Sequence, residues 1–161
     1  MHFIVYVLLF VLLLVSLGIN ISYINMALQE LTNSGDMAPR NTLWTVFALD
    51  IIVLILVIIA AFIYLIQGRN IEAKGAIAVP IVLGLAVILA IINWLISFTL
   101  QVYVINNPTT VTKKGFDYIM EGTSVFPVVW TTFLLVLYYL EKHVRGEINE
   151  ITVPAEEVTV Y

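Results

Sequence analysis

The chain has 161 residues, 61% of them hydrophobic and only 11% charged, where soluble domains run roughly 45–50% and about 25%. A soluble fold of this length must still cover a large surface with polar groups, and the chain has too few, so lipid is the expected solvent. A net charge of −4 removes the basic excess that nucleic acid demands, and the lack of cysteine removes disulfides, thiolate metal sites and a Cys nucleophile.

Four apolar runs follow in chain order, about 3–26, 44–66, 76–105 and 124–140. A hydrocarbon core about 30 Å thick needs roughly 20 helical residues, and the first three runs reach that length; the fourth is the shortest. β-Branched residues are frequent, but none of the runs alternates apolar and polar residues as a membrane barrel strand would. An isolated segment in lipid satisfies its backbone only as a helix. The expected fold is therefore all-α: an integral membrane four-helix bundle, antiparallel up-down-up-down, with short loops. The domain expected is 1–140, followed by an acidic tail over 141–161. The first run is read as a retained span rather than a signal peptide, because no Lys or Arg precedes its apolar core.

The first connection, 27–43, holds the turn cluster Asn33-Ser34-Gly35-Asp36 and then Pro39. The second, 67–75, is short and predicts a tight hairpin. The third, 106–123, opens with Asn106-Asn107-Pro108, which stops a helix. Within it Phe116, Ile119 and Met120 stand at i, i+3 and i+4, which suits either a short helix at the headgroups or a loop with three apolar residues. The amino terminus, second connection and tail carry Arg69, Lys74, Lys142 and Arg145, against Arg40, Lys113 and Lys114 on the other side. That small excess predicts both termini on the cytoplasmic face or its equivalent.

The intramembrane polar residues share one level. Asp50 is the only ionisable acid or base inside a span and lies about 9 Å in from Trp44 at 1.5 Å per residue. Asn20 on the first span, Asn93, Ser97 and Gln101 on the third, and Thr131 with Thr132 on the fourth fall at similar depth. A carboxylate at a helix centre costs on the order of 2.5–3.5 kcal/mol on insertion scales, so Asp50 must face protein, water or an interface. One expectation is interhelical bonding, with Asp50 protonated or bonded to Asn20, Gln101 or a Thr hydroxyl. Another is a vestibule opening toward the first and third connections that takes an ion, proton or small molecule. A third is an acid reaching out to the headgroups.

Gly18 with Ser22, and Ala86 with Ala90, form small-residue pairs one turn apart that let helices approach closely. Pro80 and Pro127 fall near helix starts, where Pro is tolerated. Trp44, Trp130, Tyr103, Tyr138 and Tyr139 fit an interfacial belt, whereas Trp94 lies deeper and is expected to pack against another helix.

Catalytic signals are missing from the spans. His2 and His143 stand at the edges, so no haem ligand lies inside, and no His or Lys accompanies Ser16, Ser22 or Ser97. A single carboxylate does not make an aspartyl pair. No metal-ligand spacing, phosphate loop, dinucleotide fingerprint or potassium-filter sequence occurs. These features argue against an enzyme and against a cofactor. In span number and a lone membrane carboxylate the chain resembles small four-helix multidrug exporters. Their acid is a Glu in the first span, and here it is Asp50 in the second, so their function does not carry across. The cysteine signatures of tetraspanins and claudins are absent.

The tail holds Glu141, Glu147, Glu150, Glu156 and Glu157 against Lys142 and Arg145. Ile148, Ile151, Val153, Val158 and Val160 around Pro154 suggest extended structure, either mobile or held on a partner's sheet edge or groove. The leading expectation is a structural subunit anchoring a larger assembly in a membrane, a viral membrane–capsid or an organellar complex. Its partners would be the lipid bilayer and other protein subunits, with room for a homo-oligomer. The rival is a small oligomeric transporter or channel using Asp50 as coupling or selectivity group.

Overall fold

The computed structural model describes the backbone of residues 2–32, 38–67 and 78–159, and side chains over 3–32, 38–66 and 78–143. Four long helices and one short one follow in order: α1 (His2–Gln29), α2 (Ala38–Gln67), α3 (Ala78–Asn106), α4 (Lys113–Gly122) and α5 (Phe126–Thr159), with a 3₁₀ turn at Pro108–Thr110. Four segments, Phe3–Gln29, Ala38–Ile66, Ala78–Asn106 and Lys113–His143, are long and apolar enough to cross a membrane. The expected turn cluster 33–36, and the tight turn between the second and third spans (68–77), lie outside the described residues.

Buried residues recur on each long helix in steps of three and four. On α3 they are Val79, Leu83, Ala86, Ala90, Asn93, Ser97, Leu100 and Val104. On α2 they are Leu43, Val46, Asp50, Val53, Val57, Ala60 and Tyr64. A repeat averaging 3.5 residues keeps one seam facing a neighbour, as in coiled coils. Opposite faces are apolar too: Ile4, Leu8, Ile55, Phe62, Ile88, Phe98 and Phe133 are exposed. Helices that are hydrophobic all round belong in an apolar surrounding rather than at a water-facing surface.

Two apolar clusters form along the seams. One gathers Tyr6, Phe10, Leu13, Leu17, Val57, Tyr64, Leu83, Leu134 and Tyr138. The second gathers Ile24, Ala27, Leu43, Val46, Leu100, Val104 and Ile119. In the first, Tyr6 meets Tyr64 at 4.9 Å and Tyr138 at 6.2 Å between ring centroids, so the start of α1 lies against the ends of both helices' apolar stretches. Glu141 stands beside the Tyr6 hydroxyl.

The boundaries differ from the sequence expectation in physically simple ways. Helix α2 begins at Ala38, so Pro39 sits in its first turn, where its missing N–H has no intrahelical partner to lose. Pro80 and Pro127 occupy first turns for the same reason. The expected extended tail is corrected: the backbone of α5 stays helical to Thr159. The apolar part of α5 has already supplied the helix nucleus, and each further residue only propagates it. The side chains of Ile148, Ile151, Val153 and Val158, and Val160 altogether, lie outside the described residues.

Of the two readings of the third connection, the helix is the one found. Thr112 caps α4, its hydroxyl accepting from the Gly115 N–H at 3.1 Å. Ile119 is buried, while Phe116 and Met120 are half-buried. The contact face is Gly115, Ile119 and Gly122, pressed on the end of α1. A Cβ at Gly115 would stand 2.9 Å from Glu30 Cβ, and one at Gly122 2.8 Å from Tyr23 Cβ. Next to this contact the first and third connections are laced together. Leu31 bridges Val111, Thr32 N donates to Thr110 O at 3.1 Å, and Thr112 N donates to Glu30 O at 3.0 Å. The Thr112 hydroxyl donates to Glu30 Oε2 at 2.7 Å.

Candidate functional site

Each helix seam contributes a polar residue at one level, between the two apolar clusters. On α1 Asn20 falls between Leu17 and Ile24; on α2 Asp50 falls between Val46 and Val53; on α3 Asn93 and Ser97 fall between Ala90 and Leu100. Seam position and depth together aim these side chains inward. Asp50 is 2% exposed and Asn93 7%.

Asn93 Nδ2 donates to Asp50 Oδ1 at 2.6 Å, joining α2 to α3. This partner differs from the ones the sequence suggested, Asn20, Gln101 or a threonine. Asn20 instead holds the turn between α4 and α5. It accepts from the Ser124 hydroxyl at 2.8 Å and donates to Ser124 O at 3.3 Å. Gln101 Nε2 donates to the Thr123 hydroxyl, which donates onward to Ile119 O at 2.6 Å. Thr131 is fully buried, but its hydroxyl donates to Pro127 O within its own helix, so it joins no other element. Thr132 is exposed. Ser97 is buried and makes no hydrogen bond among the described residues.

Asn20, Asp50, Asn93, Ser97, Thr123 and Ser124 line one internal cavity of about 10 Å³. A void of roughly 10–15 Å³ has room for about one water molecule. Two buried oxygens of that lining, Asp50 Oδ2 and Asn93 Oδ1, have no hydrogen-bond partner among the described residues. On the side of the first and third connections, Gly122, Thr123 and Ser124 form part of the cavity wall. The residues on that wall, Gly122, Thr123 and Ser124, are not among the candidates the sequence suggests. Their signal was Gly115 and Gly122 flanking Ile119 at i, i+4 and i+7, a close-contact face on a short helix.

Other expected positions fall differently. Ala86 and Ala90 are buried in the α3 seam, as their small size allows. Gly18 has open space where a Cβ would point, and Ser22 is exposed, so this pair makes no close helix contact within the chain. Trp94 edges the cavity but is 40% exposed, and Tyr138 is buried among rings rather than set at an interface. Trp44 and Tyr139 are exposed at the ends of their apolar stretches. The chain matches no protein-family model, no curated protein and no solved structure.

Proposed function

We propose that the chain is a multi-pass membrane protein, an antiparallel up-down-up-down bundle that serves as a structural anchor for a larger assembly. The observation that carries this reading is where the polar groups go. Asp50, Asn93, Asn20 and Gln101 are engaged with neighbouring elements inside a nearly filled interior, while the outward faces are largely apolar. Such bonds hold helices together at about 0.6 kcal/mol each on average, which suits a scaffold. Helix α5 then continues past Leu140 for roughly 28 Å at 1.5 Å per residue. In the sequence, Val144, Ile148, Ile151, Ala155 and Val158 recur in steps of four and three, the anchor spacing of a helix that lies in a partner's groove. The partners in this reading are the bilayer and other protein subunits, and both termini share the face with the slight cationic excess.

Purification from the native membrane in mild detergent tests it. The chain co-migrates with other subunits, and deleting 145–161 releases it without loss of helicity by circular dichroism. A chain that migrates alone and retains all cellular function with the tail deleted ends the reading.

A second reading is favoured by one observation, the two unpartnered oxygens at the cavity: Asp50 as the coupling group of a small transporter or channel. Reconstituted flux abolished by Asp50→Asn supports it; absence of flux removes it.

A further inference from the structure

We infer that the cavity at the polar level, where Asp50 of α2 meets Asn93 of α3, is a binding site for one dehydrated monovalent cation of sodium size, held by Asp50 Oδ2 and Asn93 Oδ1 with Ser97 as a third oxygen donor. The inference stands on the cavity and depends on neither functional reading above.

The two unpartnered atoms are both acceptors. Asn93 has turned its amide nitrogen to Asp50 Oδ1, which leaves its carbonyl oxygen and the second carboxylate oxygen buried without a donor. A buried acceptor left unsatisfied costs about 1–3 kcal/mol, and a buried charge is normally paired or bound to a metal ion. No Lys, Arg or His is among the residues lining the cavity. What the site lacks is a donor or a cation.

Size and charge then choose the ion. The cavity admits one particle the size of a water molecule. Magnesium keeps several waters and calcium takes about 6–8 oxygens, commonly with more than one carboxylate, so both need more room and more charge than one Asp provides. A single positive charge on a single carboxylate leaves a neutral pair, the arrangement least costly in an apolar surrounding. Ser97 lies one turn from Asn93 on the same seam, is buried, and has no hydrogen bond among the described residues that would occupy it.

The test uses the full chain in detergent. Its thermal midpoint is measured as sodium chloride replaces choline chloride at constant ionic strength, and sodium-23 line broadening is read on the same sample. A ligand that binds only the folded state raises stability with concentration. The expected result is a saturable rise with sodium, weaker with potassium, and line broadening that lithium competes away. Asp50→Asn abolishes both signals. Ser97→Ala, a change too small to disturb folding, weakens apparent sodium affinity on the order of tenfold, the equivalent of about 1.4 kcal/mol. A wild-type midpoint and linewidth indifferent to sodium overturn the proposal and leave the cavity to a water or a proton. So does a sodium response that Ser97→Ala leaves unchanged.

Discussion

The two ends of the bundle are held by different physics. Around the first turns of α1, rings do the holding: Tyr6, Phe10, Tyr64 and Tyr138 pack within 6.2 Å of one another or of shared neighbours. Around the last turns of α1, hydrogen bonds and backbone proximity join the second apolar cluster, through Asn20, the α4 glycines and the lacing of residues 30–32 with 109–112. In the bilayer proposed above there is no hydrophobic drive between helices, so cohesion would come from dispersion contacts and polar bonds. One end uses mainly the first, and the other combines both. The aromatic end should therefore lose stability in proportion to volume removed, and the polar end according to which acceptors are left bare.

Substitutions can break that contrast. Tyr6→Ala opens a void inside the ring cluster and should cost the most, about 3 kcal/mol, read as a lowered midpoint of thermal or denaturant unfolding in detergent. Gly122→Val forces methyl groups onto Tyr23 and the α1 backbone and should cost about 2 kcal/mol; protease sensitivity of the 106–123 segment should rise with it. Asn93→Leu strips Asp50 of its donor and should cost about 1–2 kcal/mol, whereas Asp50→Leu combined with Asn93→Leu should recover most of that loss, because no bare acceptor remains. Equal losses in the single and double variants would mean the polar level is held by something other than this pair. Thr112→Ala removes the α4 cap and the bond to Glu30, a loss of about 1 kcal/mol. Gly18→Ala, which adds a methyl to open space, should change the midpoint by less than about 0.5 kcal/mol.

Four long apolar helices and the common polar level are legible in the sequence because both depend on distance along a helix, which residue number measures directly. Partners are not, because they depend on rotation about the helix axis. The row Asn93, Ser97, Gln101 illustrates this. Strict steps of four drift by roughly 40° each on a helix of 3.6 residues per turn, so by Gln101 the row has left the seam. Leu100 takes the inward position, and Gln101 sits at the flank, where it meets Thr123. Extending the alternation of three and four would also have placed Tyr64 after Ala60, and Tyr138 after Leu134, in the buried seam instead of an interfacial belt. The Gly18–Ser22 pair shows the opposite error, since small size permits a close approach without supplying a neighbour. The tail was misread because its short apolar alternation was weighed without the helix that feeds into it.

The clasp between the first and third connections also constrains how the molecule is made. Glu30 and Thr112 are 82 residues apart in the chain, and three long helices are synthesised before the second partner exists. Until then the Glu30 carbonyl and the Thr32 amide have no mate, so the lip of the nascent hairpin stays ajar. The ribosome must deliver residues 109–112 before that lip can shut, which makes closure of the clasp a late event in biogenesis.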